Sequence, residues 1–173
     1  MKAFLLLALL LTFGSVSFGQ TTKLKVYFNN EKRGSDDCGR QTFALTRQVP
    51  KTKGVAKAAL DELFKGVTET EAKEGYSSLF SKETEGLVIS VNIVRGIAYV
   101  NLKARVMEVL GNATTSCGSV SYYETVTRTL RQFPSIRKVM FAIERDPAAY
   151  YDWVQIGECP REIRNCSNKH FLK

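Results

Sequence analysis

The side chains that could do chemistry are few. The carboxylates with the most suggestive placement are Asp36-Asp37, Glu144, Asp146 and Asp152. A glycosidase needs two of them facing each other across a cleft, about 5–9.5 Å apart, and nothing in the spacing brings any pair together. Asp36-Asp37 sits in a turn-like Gly34-Ser35-Asp36-Asp37 run and reads as a solvated loop. Glu144 and Asp146 read as the end of a strand and the start of a turn. Nucleophilic catalysis fares worse, because the single histidine, His170, lies three residues from the end of the sequence. A serine nucleophile would have to draw its base from that tail, and neither G-x-S-x-G nor Ser-x-x-Lys occurs. No alternating Asp/Asn pattern suggests a calcium loop, and no cofactor is expected.

Four cysteines remain: Cys38, Cys117, Cys159 and Cys166. Without a C-x-x-C pair and with a remote histidine, a zinc site is disfavoured. The N-terminus points to disulfides instead. Lys2 precedes the uncharged run Ala3 to Leu11, and Ser17-x-Gly19 supplies the small residues of a signal-peptidase site, so residues 1–19 read as a secretory signal cut after Gly19. The apolar run is shorter than a membrane span requires. Export to a periplasmic or extracellular space makes disulfides the expected state of an even thiol count. Of the three possible pairings, Cys159–Cys166 closes a short local loop, which leaves Cys38–Cys117 to join two distant ones.

The chain has 25 Lys+Arg against 17 Asp+Glu among 173 residues, a formal +8. Such a surface favours anionic partners. The basic residues are scattered, and an exported protein seldom meets nucleic acid, so nucleic acid and stable membrane insertion are both set aside. An envelope protein partner or an anionic cell-wall polymer fits better.

The elements that must position these groups follow from periodicity. Leu24 to Phe28 alternates as a first strand, and Thr42 to Val49 is a second, stopped by Pro50. From Val55 the apolar residues recur every three to four positions through Phe64, and Gly66 suits the end of an amphipathic helix. Residues 67–86 read as a polar connection around Leu79-Phe80. Leu87 to Val94, Arg95-Gly96 and Ile97 to Leu102 form a tight hairpin, with Ile89, Val91 and Ile93 sharing one face. Ser121-x-x-Glu124 matches a capping box ahead of a second helix with a Tyr123, Val126, Leu130, Phe133 stripe, ended by Pro134. Arg137 to Glu144 is the last strand. This order predicts an α+β fold, a mostly antiparallel sheet with two helices packed on one face.

Several of these pieces carry a resemblance: Val26-Tyr27-Phe28, Thr46-Arg47, Leu63-Phe64-Lys65-Gly66, Ser90-Val91, Ala98 to Leu102, and the run Thr129-Leu130-Arg131-Gln132-Phe133-Pro134-Ser135-Ile136-Arg137-Lys138-Val139. In this order they resemble the GerMN domain family, named for a bacterial sporulation and spore-germination protein, over residues 24–144. The resemblance implies a non-catalytic envelope module that associates with other proteins, similar in architecture to ring-building modules of secretion and sporulation assemblies. By family position Arg47 is structural, its guanidinium bonding carbonyls near the helix end, and Thr129, Gln132 and Phe133 are packing and turn residues. The expected organisation is a signal at 1–19, the α+β domain at 20–146 and a disulfide-linked extension at 147–173. In that extension Tyr150, Tyr151 and Trp153, flanked by Arg145, either anchor an interface or fold back on the sheet. The alternative function is a secreted carbohydrate-active enzyme or a peptidoglycan- or polysaccharide-binding protein.

Overall fold

The computed structural model describes residues 20–34, 38 and 41–172. The expected signal segment, Asp36-Asp37 and their immediate neighbours lie outside them. Among the described residues no helix is long and apolar enough to cross a membrane.

The fold is α+β, and its strands divide into two three-stranded sheets. In the first, β1 (Thr21–Asn30) lies between β2 (Thr42–Pro50) and the two-residue β3 (Tyr76–Ser77), antiparallel to both. In the second, β5 (Ile97–Leu102) is central, antiparallel to β4 (Val88–Val94) and parallel to β6 (Lys138–Ile143). A parallel neighbour requires a crossover. It runs through a short α3 (Val106–Val109) and the long α4 (Ser116–Arg131). The helix α1 (Val55–Leu63) packs against β1, β4 and α4, while α4 packs against β1 and β6. The two helices expected from the sequence therefore link two sheets instead of covering one.

Local rules explain most boundaries. Gly66 adopts φ +79 at the end of α1, and a Cβ there would collide with the Phe80 carbonyl. At the hairpin, Arg95 and Gly96 both have positive φ (49° and 83°), the mirror-image turn that matches strand twist. The Arg137 guanidinium also crosses Gly96, leaving 2.6 Å for a side chain. A bulge between Val88 and Ser90 shifts the expected face, so Val88 is buried where Ile89 was anticipated.

Helix α4 begins at Ser116, ahead of the Ser121-x-x-Glu124 box. Thr115 caps it by accepting the Gly118 N–H at 3.1 Å. Ser121 is buried inside the helix and accepts the Asn29 side-chain amide at 2.6 Å. The connection 67–86 also contains order that a polar composition hides. Thr68 caps α2 (Glu69–Lys73) with a reciprocal Glu71 contact, and Thr84, buried, donates to the Phe64 carbonyl at 2.5 Å.

Glu71 has a second partner. Its two oxygens accept both terminal nitrogens of Arg47, at 2.5 and 2.8 Å, with Glu62 3.9 Å from the same guanidinium. Arg47 therefore pairs with carboxylates, a correction to the carbonyl role implied by family position. Burial works against the Glu71 carboxylate, but the hydrogen bonds from Arg47 and Thr68 outweigh it and hold its pKa below the ordinary value.

The core is a chain of rings. Phe64 stacks on Phe80 at 4.4 Å, Phe80 and Phe141 both meet Tyr122, and Phe141 stacks on Tyr150 at 4.7 Å. Aromatic contacts thus join α1, α4, β6 and α5 (Pro147–Trp153). The hydroxyls of Tyr122, Tyr123 and Tyr150 are all buried. Burial raises the pKa of Tyr122, Tyr150 and Tyr151 above that of free tyrosine.

Two outcomes follow from these groups. Replacing Glu71 with Gln should cost about 2 kcal/mol at pH 7, because a half-buried guanidinium loses a bidentate anion. A depressed carboxylate contributes stability above its unfolded pKa that fades as pH falls through its folded pKa. The E71Q penalty measured by urea unfolding should accordingly shrink at pH 3, and a penalty equal at both pH values would refute the ion-pair assignment. For the tyrosines the sign reverses. Their raised pKa keeps stability intact below about pH 10, the unfolded value, and loses it above. Phenolate absorbance of the buried rings should therefore rise together with loss of far-ultraviolet dichroism in alkali, not before it.

Candidate functional site

The last turn of α4 carries the most specific part of the sequence motif, and its role is visible in the hydrogen bonds. Residues three apart on a helix share a face, so Thr129 and Gln132 both meet β1. The Gln132 side chain accepts the Lys25 N–H at 2.8 Å and donates to the Lys25 carbonyl at 2.6 Å. Thr129, fully buried, accepts the Tyr27 N–H at 3.1 Å. These backbone groups point away from β2, and α4 supplies what a further strand would otherwise supply. Past Gln132, Phe133 donates its N–H to Leu130 and the Ile136 N–H returns to Phe133, so the chain turns at Pro134 into β6.

Beside this junction lies a groove. One depression of about 380 Å³ is lined by Lys23, Leu24, Lys25, Tyr27, Thr46 and Gln132. A second, of about 330 Å³, is lined by Tyr27, Arg128, Arg131 and Gln132, so the two are contiguous. Among the described residues, four cations and no carboxylate line them. Arg128 donates to the Thr42 carbonyl at 3.1 Å and has Glu124 at 3.6 Å. The sequence singled out none of the groove's cations, because they come together only when β1 meets a helix about a hundred residues later.

The candidates that the sequence did raise are placed elsewhere. The four cysteines are joined as Cys38–Cys117 and Cys159–Cys166. The first bridge ties the loop after β1 to the first turn of α4, and the second closes a loop in the C-terminal segment. Tyr150 and Tyr151 are buried, the former on Phe141 and the latter with its hydroxyl 3.6 Å from the Met140 sulfur. Of the two readings open for these rings, both lie in the inward one, since the period of α5 turns them onto β6. Trp153, partly buried, packs edge-on to Tyr150. Arg145 is exposed. The segment from Pro147 onward shares the core rather than trailing from it, with Ile163 and Phe171 buried and Lys138 of β6 paired with Glu162. His170 lies against Tyr99 at 4.7 Å.

Glu144, Arg145 and Asp146 do line one depression, of about 520 Å³, together with Cys166 and Asn168. One carboxylate oxygen of Glu144 and one of Asp146 are engaged in holding the turn. Glu144 accepts the Ala104 N–H at 3.0 Å, and Asp146 caps α5 by accepting the N–H groups of Ala148 and Ala149. Asn101 accepts the Arg145 N–H at 2.7 Å, fixing a left-handed backbone at both Glu144 and Arg145. Asp152 is exposed on the far side of α5. Among the described residues no group of three or more His, Cys, Asp or Glu is placed to hold a metal ion.

Comparison with known proteins places this architecture. The tandem GerMN domains of the sporulation protein GerM from Bacillus subtilis match with a TM-score of 0.51 and 21% identity, over 72% of this chain and 39% of that one. The chain thus spans well under half the length of the tandem protein. The first GerMN domain of the same protein matches with a TM-score of 0.50 and 22% identity, over 70% of this chain and 82% of that one. At such identities the likeness is one of fold. No curated protein matches by sequence. The model of the Germane family, described as sporulation and spore germination, matches residues 25–149, and with it the motif that seats α4 on β1; the chain belongs to the Germane family.

Proposed function

We propose that this protein is an exported, non-catalytic module of the cell envelope that works by binding and assembling with a partner. The observation that carries this reading is where five chemically capable side chains among the described residues are engaged. Glu71 holds Arg47, Glu144 and Asp146 hold backbone N–H groups, and Gln132 and Thr129 hold β1. A general acid or nucleophile has to be free to reach a substrate, whereas these groups are tied to the fold. Two disulfides agree with an oxidising compartment, and membership of a sporulation and germination family agrees with an envelope setting. The cleaved signal at 1–19 belongs to the same reading.

The test separates binding from turnover. The full-length gene product, expressed in its native cell with a C-terminal tag, should be recovered outside the cytoplasm without residues 1–19. In vivo cross-linking should join it to a defined envelope protein. Purified, it should release no soluble fragments from peptidoglycan or polysaccharide. Turnover of such a polymer that is abolished in the E144Q variant would overturn the reading in favour of a carbohydrate-active enzyme.

A further inference from the structure

Along β1 the residues Lys23, Lys25 and Tyr27 alternate with the buried Leu24, Val26 and Phe28, and so share the outer face of the first sheet. Lys23 and Lys25 are exposed, as is Thr46 across from Lys25 on β2. Arg128 and Arg131 enter the same groove from α4. Cations two apart on a strand lie about 7 Å from each other, and residues three apart on a helix about 5–6 Å. Lys23, Lys25 and Arg131 have no ion-pair partner among the described residues, so their charge is directed outward. A lining that is of one sign among the described residues concentrates counter-ions along its length.

We propose that this groove binds one strand of a polymer whose backbone carries phosphodiester groups. Lys23, Lys25 and Arg131 contact successive phosphates, and the half-buried Tyr27 ring packs against the organic unit between them. Three observations select this occupant. A compact anion needs an enclosed site, whereas the two depressions are open and run into each other through Tyr27 and Gln132. An acidic peptide adding to β1 as a strand finds places taken, because Gln132 already takes the Lys25 N–H and C=O and Thr129 the Tyr27 N–H. A lipid surface needs apolar side chains beside the cations. Among the described residues, the large exposed apolar ones, Ile93, Met107, Ile156 and Leu172, lie on other parts of the fold, and none lines the groove. The inference goes beyond the partner-binding role above, since the polymer site can fail while a protein partner is still captured.

The experiment is calorimetric titration of the full chain with synthetic poly(glycerol phosphate) at several salt concentrations. The variant K23Q/K25Q/R131Q should bind at least tenfold more weakly, with the slope of log K against log salt reduced by about 2, the value for three lost contacts. The variant K53Q/R105Q/R164Q removes the same charge from exposed positions outside the groove and should lose less than threefold. Inorganic phosphate at equal phosphate concentration should fail to displace the polymer, and poly-glutamate and phosphatidylglycerol vesicles should bind more weakly than it does. Equal loss in both triple variants would overturn the site. Displacement by inorganic phosphate, or equal binding of poly-glutamate or vesicles, would overturn the choice of ligand. If the groove variant melts below the wild type, R131Q alone reads the same contact, and unchanged affinity there would also overturn the site.

Discussion

Everything in the arrangement of this protein depends on how the exposed edge of β1 is satisfied. A strand edge presents N–H and C=O groups that must find partners or water, and an open edge invites pairing with other chains. Here β2 covers one edge and β3 only the far end of the other. Between them the side chains of Thr129 and Gln132 take over, with the carboxamide of Gln132 matching the N–H and C=O of Lys25 as a peptide group would. An amide can do this because it carries a donor and an acceptor side by side. The consequence is a helix fixed in position along a strand 100 residues away in sequence, with no further strand needed.

From that junction the other layers follow. With α4 held against β1, Tyr122 is carried into the core, where it meets Phe80 and Phe141. Helix α1 fills the space between β1, β4 and α4. The Cys38–Cys117 bridge reinforces the opposite end of the same helix, joining it to the loop after β1. The two sheets differ in what lies over them. Tyr99 of β5 is covered by His170 and Phe171 from the C-terminal segment, whereas Lys23, Lys25 and Thr46 of the first sheet are left exposed. Among the described residues, one outer face is thereby closed by the C-terminal segment, and the other stays exposed at Lys23, Lys25 and Thr46.

Features set by local chemistry were legible in the sequence. The alternation of β1, the stop at Pro50, the period of α1 with Gly66 behind it, the Arg95-Gly96 turn and the break at Pro134 need only near neighbours to act. Where sequence reading went astray, a longer-range contact decided. Ser121-x-x-Glu124 has the form of a cap, but Gly118 lets the chain approach the Asn112 carbonyl so closely that the helix starts earlier, at Ser116 behind the Thr115 cap. Thr68-x-x-Glu71 is a true capping box hidden in a polar stretch, and its second function, holding Arg47, comes from a strand 24 residues earlier. Asp146-Pro147 signals the start of α5, yet the short helix that follows takes its inward side only from β6. The division into two sheets has no local signal at all. As for the groove, each of its lysines and arginines looks like an ordinary surface charge until the fold assembles them.

Amide hydrogen exchange at single-residue resolution, comparing the wild type with Q132A, tests the β1–α4 junction most directly. The Lys25 amide should be protected in the wild type and exchange at least about tenfold faster in the variant, while the Leu24 and Val26 amides, which face β2, keep their protection. A Lys25 amide that exchanges freely in the wild type, or equally slowly in both proteins, would contradict the account.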